Sequence, residues 1–292
     1  AGYLSCASCP YTTAIGYQAK AFSSAYNSIV VGHNSCVTGS CSQAFGYKSC
    51  ATADFTSAFG YYSCSVANYS TAVGFHSCAT GETSTAFGNS SCSTGHYSSV
   101  FGRASCATGC KSSAIGYQSC ATATDSTAIG RSTTATASYA SAFGRASCAI
   151  ADSASAIGRE NYATGACSTA SGYKSCATAN CSQAFGFMSY ATGVDSSASG
   201  YRSCATATSA SAFGKMSLAT ATNSSVMGFF SQATGVNSSA FGYLSCATVQ
   251  SSTASGYRSC ATADCSTAMG FMSCSTGVNS LALGRSSIAT GI

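Results

Sequence analysis

Glycine falls on a grid in this chain. It stands at positions 2, 16 and 32, and from Gly32 it recurs every 14 residues to Gly284, so 21 of the 30 glycines share one column. The other nine (Gly39, Gly81, Gly95, Gly109, Gly165, Gly193, Gly235, Gly277 and Gly291) each lie seven residues after a glycine of that column. One step, Gly16 to Gly32, is two residues too long. A fixed period of this kind marks a repeat architecture whose units cannot bury their faces alone and stack on their neighbours instead. Residues 1–292 therefore read as one β-solenoid repeat domain of about 21 coils, with a two-residue insertion near 20–28.

A clean unit runs Ser42-Gln43-Ala44-Phe45-Gly46, Tyr47-Lys48, Ser49-Cys50-Ala51-Thr52-Ala53, Asp54-Phe55. It reads as strand, two-residue turn, strand, two-residue turn, with each strand five residues long. Paired glycines, abundant Ser and Thr, and period-two alternation count against a helical unit. The columns of Ser42, Ala44 and Gly46 and of Ser49, Ala51 and Ala53 stay small down the array. The alternate column at Cys50 also holds Lys20, Tyr162, Leu218 and Gln232. A close-packed interior cannot take such variety, so the small parity points inward and the variable parity outward. Coils stacked about 4.8 Å apart through parallel strands would form a rod on the order of 100 Å long.

Units such as Ser126-Thr127-Ala128-Ile129-Gly130 and Ser189-Tyr190-Ala191-Thr192-Gly193 resemble the head repeats of trimeric autotransporter adhesins. The resemblance runs over essentially the whole chain. It implies an all-β parallel β-roll, left-handed, usually trimeric and displayed on a cell surface. The repeats also look like those of some viral and phage fibres, so the fold alone does not fix the function. The chain differs from exported heads in its 20 cysteines. It also shows neither a coiled-coil stalk nor a membrane-anchor barrel.

The outward columns carry the candidate functional residues. Phe45, Phe59, Phe87, Phe101, Phe143, Phe185, Phe213 and Phe241, with Ile, Val and Met between them, form an apolar stripe suited to a subunit interface. Fourteen cysteines share one register on the other strand. Runs of consecutive coils give Cys36, Cys50, Cys64, Cys78, Cys92, Cys106 and Cys120, and again Cys246, Cys260 and Cys274. Neighbours one coil apart lie within disulfide range. The row is thus a candidate disulfide ladder or inter-subunit cross-link, weighed evenly against reduced thiols packed at an interface. Cys41, Cys110, Cys167, Cys181 and Cys265 fall in turns and are candidate cross-links to another chain. So many thiols point to an oxidising, extracellular or cell- or virion-surface setting. A single row supplies converging metal ligands poorly, and Cys6-Ala7-Ser8-Cys9 is the sole CxxC, so no metal and no cofactor is expected.

Charged residues make up only 7% of the chain, and the net charge of +5 is not clustered in sequence. Neither a nucleic-acid partner nor an apolar membrane-spanning run is indicated. Charge is sorted by edge instead. Ten of the 12 basic residues follow the first-column glycine, and six of the seven acids sit in the opposite turn. This fits solvated turns, or edges that attract between neighbouring rods. Five Asn-x-Ser sequons, at Asn68, Asn89, Asn180, Asn223 and Asn237, matter only in a glycosylating compartment. His33, His76 and His96 lie in different coils and no paired carboxylates converge, so no enzyme activity is expected.

Neither end shows an atypical capping unit, and exposed strand edges template pairing. The expectation is therefore an extracellular filament subunit that self-associates head to tail through its ends, its aromatic faces and cysteine cross-links. The alternative is a trimeric adhesin head that binds a cell-surface or matrix ligand. A third reading, ice binding, rests on a Thr row present in 17 coils. The adjacent Cys row and the bulky Tyr162, Tyr190 and Leu218 count against it.

Overall fold

The computed structural model describes residues 2–291. Every regular element among them is a short β-strand, two to each coil of 14 residues, and the strands pair in parallel. The chain forms two compact units, Ala1–Ala146 and Ser147–Ile292. In the first, Gln43–Phe45 pairs with Ser57–Phe59, and Cys50–Ala51 with Cys64–Ser65, like residue on like position. In the second, Ser239–Tyr243 pairs with Thr253–Tyr257, and Cys246–Ala247 with Cys260–Ala261. Each unit is thus an all-β parallel solenoid with two sheets, as the period requires.

The interior is built from the small parity. Ala44, Ala51, Ala58 and Ala72, like Ser42 and Ser49, are fully buried in the first unit, as are Ala184, Ala191 and Ala240 in the second. The largest residues buried there are Val30, Val37, Val100, Val226 and Asn161. Many of the buried serines are tolerated because their hydroxyls find backbone partners, while others, Ser49 among them, have none. Ser42 Oγ donates to the Ala53 carbonyl at 2.8 Å, Ser105 Oγ to Gly116 at 2.9 Å and Ser231 Oγ to Gly242 at 2.8 Å. Asn161 occupies a serine position in the second unit. Its Nδ2 donates to the Ile157 and Gly172 carbonyls at 2.6 and 2.7 Å, and its Oδ1 accepts from Ser175 N at 2.8 Å.

Many of the strands are shorter than the five-residue reading. The strands run three to five residues on one sheet and two on the other. The reason is a second periodic feature. From Asn27 to Ser286, every seventh residue is a non-glycine residue in the left-handed region. Cys41, Lys48, Phe55 and Tyr62, for instance, have φ of 54°, 52°, 58° and 54°. These residues end each strand and turn the chain into the next inward serine. Their amides are held by the coil before, as Lys48 N donates to His33 O and Phe55 N to Ser40 O, both at 2.9 Å.

The first glycine column has its own cause. Gly46 has φ 133°, and a methyl group there would run into the carbonyl of Gly60 in the next coil. Only glycine meets both the conformation and the close approach. The two extra residues lie between Ala21 and Ile29. Register resumes on either side, with Thr13 opposite Ile29 and Lys20 opposite Cys36. The widened turn is closed by Ala25 N donating to Phe22 O at 3.0 Å, and it tucks Ala25 into the core with Val30 and Val37.

Candidate functional site

Because the interior is uniform, what this protein can recognise lies in its outward columns. On the two-residue strands of the first unit, the in-register pairs Cys36–Cys50, Cys50–Cys64, Cys64–Cys78, Cys78–Cys92, Cys92–Cys106 and Cys106–Cys120 place seven thiols in one line. All seven are half-buried free thiols. The Sγ atoms of Cys36 and Cys50 lie 2.7 Å apart, in direct thiol–thiol contact.

Neighbouring thiols in such a line shift one another in opposite directions. Hydrogen bonding among Cys36, Cys50 and Cys64 raises the pKa of Cys50 and lowers those of Cys36 and Cys64. Cys106 is raised in the same way by its bond to Cys92, whose pKa falls to about 6. In the second unit Cys246 falls to about 7 through the bond from Cys260. Where a cysteine has no cysteine neighbour, burial alone pushes it up, as at Cys148, Cys176 and Cys204.

The turn cysteines do not form one site. Cys41, Cys167, Cys181 and Cys265 are exposed, in the left-handed turn position, with φ of 54° to 56°. Cys110 is half-buried and lies one position earlier in its turn. Cys167 and Cys181 are in adjacent coils, and partial desolvation by its neighbours together with the Asp195 carboxylate raises Cys181.

The phenylalanine column lies on the outer face of the other sheet. Phe101, Phe185 and Phe213 are exposed, while Phe45, Phe59, Phe87, Phe143 and Phe241 are half-buried. Phe45 stacks on Phe59 with ring centroids 5.1 Å apart, and Phe87 on Phe101 at 5.3 Å. In the first unit the column is apolar throughout. In the second, Ser171, Ser199 and Ser255 interrupt it.

The edge after each first-column glycine holds a further ladder that the sequence reading did not assemble. Tyr3, Tyr17, His33, Tyr47, Tyr61 and Phe75 stack in succession with centroids 4.8 to 5.5 Å apart. In the second unit Tyr173–Phe187–Tyr201 and Phe229–Tyr243–Tyr257–Phe271 do the same. Basic residues serve as rungs: Lys215 Nζ lies 5.6 Å from the Tyr201 ring and 5.2 Å from that of Phe229. Many of the edge-sorted cations are therefore held over aromatic rings. The signal was present in the sequence as alternating aromatic and basic residues in one column.

Two shallow recesses accompany these columns. One, of about 250 Å³, lies among Glu160, Tyr162, Lys174, Cys176 and Tyr190. It exists because a small cysteine stands between two tyrosines, and Glu160 there pairs with Arg159 at 3.1 Å and Lys174 at 3.5 Å. The other, of about 380 Å³, includes Asn68, Glu82 and His96, with His96 Nδ1 3.6 Å from Glu82. Among the described residues no three His, Cys, Asp or Glu side chains converge on one point where a metal ion could sit.

A parallel solenoid with uniform small interior columns and varied outer ones defines a β-roll repeat protein. The YadA head domain repeat matches at residues 10–35, 66–91, 79–105, 121–147, 149–175, 184–203, 191–217, 205–231, 219–245 and 275–292. These matches cover more than half of the chain, and the chain belongs to that family. No curated protein matches it in sequence.

Proposed function

We propose that this chain is the head of a trimeric adhesin-like surface protein, a binding module rather than an enzyme. The observation that carries this reading is the recurrence of the YadA head repeat through both units. The outward apolar column supports it. In the first unit that column runs unbroken through Val31, Phe45, Phe59, Val73, Phe87, Phe101, Ile115, Ile129 and Phe143. An apolar stripe of that length is best accounted for by association with further copies of the chain. The varied outer residues would then supply contacts to a cell-surface or matrix ligand.

The family match favours this reading over a self-stacking filament subunit. The expectation of uncapped ends rests partly on Ala1 and Ile292, which lie outside the described residues. The test is sedimentation of the chain under reducing conditions, followed by binding to immobilised matrix proteins and to cells. A discrete trimer that binds is the expected result. A monomer, or an open-ended series of assemblies, would overturn it.

A further inference from the structure

We propose that the cysteine row at residues 36–120 binds soft monovalent metal ions of the Cu(I) and Ag(I) class, one held in line between the sulfurs of each two adjacent coils. The geometry points to two-coordinate sites. In-register pairing stacks the seven cysteines one coil apart, with no other residue between them in the column. The repeat of the row is the strand spacing, about 4.8 Å. Two metal–thiolate bonds of about 2.3 Å set end to end span nearly the same distance. A linear S–M–S unit therefore fits the gap at the spacing the backbone imposes, with side-chain rotation to open the 2.7 Å contact of Cys36 and Cys50.

Ligand chemistry selects the class of ion. Thiolates prefer soft cations, and zinc and iron–sulfur centres need four converging donors. The row never offers three donors at one point, which leaves the ions content with two. Six gaps between seven sulfurs take six ions. Seven S–H bonds break, seven protons go to solvent, and twelve metal–sulfur bonds form, leaving a net charge of −1 on the filled row. No electron moves. Every interior sulfur bridges two ions, so filling the row ties seven coils together. This proposal does not depend on the adhesin reading.

The test is anaerobic Ag(I) titration of the reduced full chain, with excess free cysteine as competitor. Stoichiometry, near-ultraviolet thiolate-to-metal absorption and melting temperature are read together. The diagnostic variant replaces Cys50, Cys78 and Cys106 by Ser. It removes three thiols but breaks all six gaps. Its counterpart replaces Cys41, Cys110 and Cys265 by Ser, which breaks none. Both should fold, because this outward column accepts Gln232 and Tyr162, and the turns accept many residue types. Six competitor-resistant ions lost from the first variant and none from the second is the expected result, with metal-dependent stabilisation lost in the first alone. Equal losses from the two variants would overturn the proposal. So would the absence of competitor-resistant Ag(I) in the parent chain.

Discussion

The two units have the same inside and different outsides. In the first, residues 36–120 present an unbroken thiol row on one sheet, and the apolar column on the other sheet is equally continuous. In the second, the thiol row reads Cys148, Tyr162, Cys176, Tyr190, Cys204, Leu218 and Gln232 before three cysteines recur in succession. The apolar column there is cut by serines. Inward, both units repeat Ala, Ser and Gly without such variation. The interior is fixed by close packing between two sheets, so it tolerates almost nothing else. The outer columns meet solvent or a partner, so they are free to differ, and function is to be sought in that difference.

The largest effect should come from the interior, and it should be the same in both units. Gly130→Val in the first unit and Gly200→Val in the second each put a β-branched side chain at φ near 135°. Each also drives it into a carbonyl of the next coil, that of Gly144 or Gly214. Either should cost about 3 kcal/mol or more. Hydrogen exchange should show protection lost in the coils around the substitution. A variant tolerated in one unit and not in the other would break the claim that the interiors are equivalent.

Asn161 should give the next largest effect, and only in the second unit. Asn161→Ala removes a donor from two part-buried carbonyls and leaves the buried Ser175 amide without its partner, at about 2–3 kcal/mol. Asn161→Ser restores the residue found elsewhere in the column and should recover most of that loss in a denaturant titration. Equal losses for the two variants would mean that the buried amide network contributes nothing beyond its volume.

The thiol contrast is one of reactivity rather than stability. A lowered pKa means that thiolate, the reactive form, persists to lower pH. Cys92 at about 6 and Cys246 at about 7 should be largely thiolate at pH 7.5. Cys148, Cys176 and Cys204, raised above 9.0 by burial, should remain thiols there. Alkylation at pH 7.5, mapped by mass spectrometry, should run on the order of tenfold faster at the first pair. The isolated cysteines should speed up as pH rises through 9. Cys246 lies in the second unit, so its behaviour separates the influence of a cysteine neighbour from that of the unit. If it reacts like Cys148, adjacency is not the cause.

Much of this was legible in the sequence. The glycine column gave the period, and the tolerance of Lys20, Tyr162 and Gln232 at one position told outside from inside. Strand length was not legible, because alternation continues through residues whose backbone has already left the sheet. Ser49 alternates properly yet lies beyond the turn residue Lys48. The ladder of rings at the glycine edge was visible only as a column of aromatic and basic residues after the glycine. Stacking depends on side-chain direction, which a linear pattern does not carry. The thiol contacts likewise followed from register, while the opposite pKa shifts of neighbouring thiols did not.

The left-handed turn column did leave a trace, and it yields the smallest and most local test. Left-handed backbone disfavours β-branched residues most. Along that column stand Asn, Ser, Tyr, Cys, Lys, Met and others, but Thr83 is the one β-branched residue among those with positive φ. It lies in the first unit, exposed, with φ 55°. The second unit has none. Thr83→Asn keeps the Asn68 O bond accepted from the residue 83 amide and relieves the crowding, so it should stabilise the first unit by about 0.5–1 kcal/mol. The reverse change at the matching turn of the second unit, Asn223→Thr, should cost a similar amount, since Asn223 has the same φ of 55°. Paired denaturant titrations of the two variants would read opposite shifts in midpoint. Shifts of the same sign would show that neighbouring side chains in the column, rather than backbone conformation, decide which residue each turn accepts.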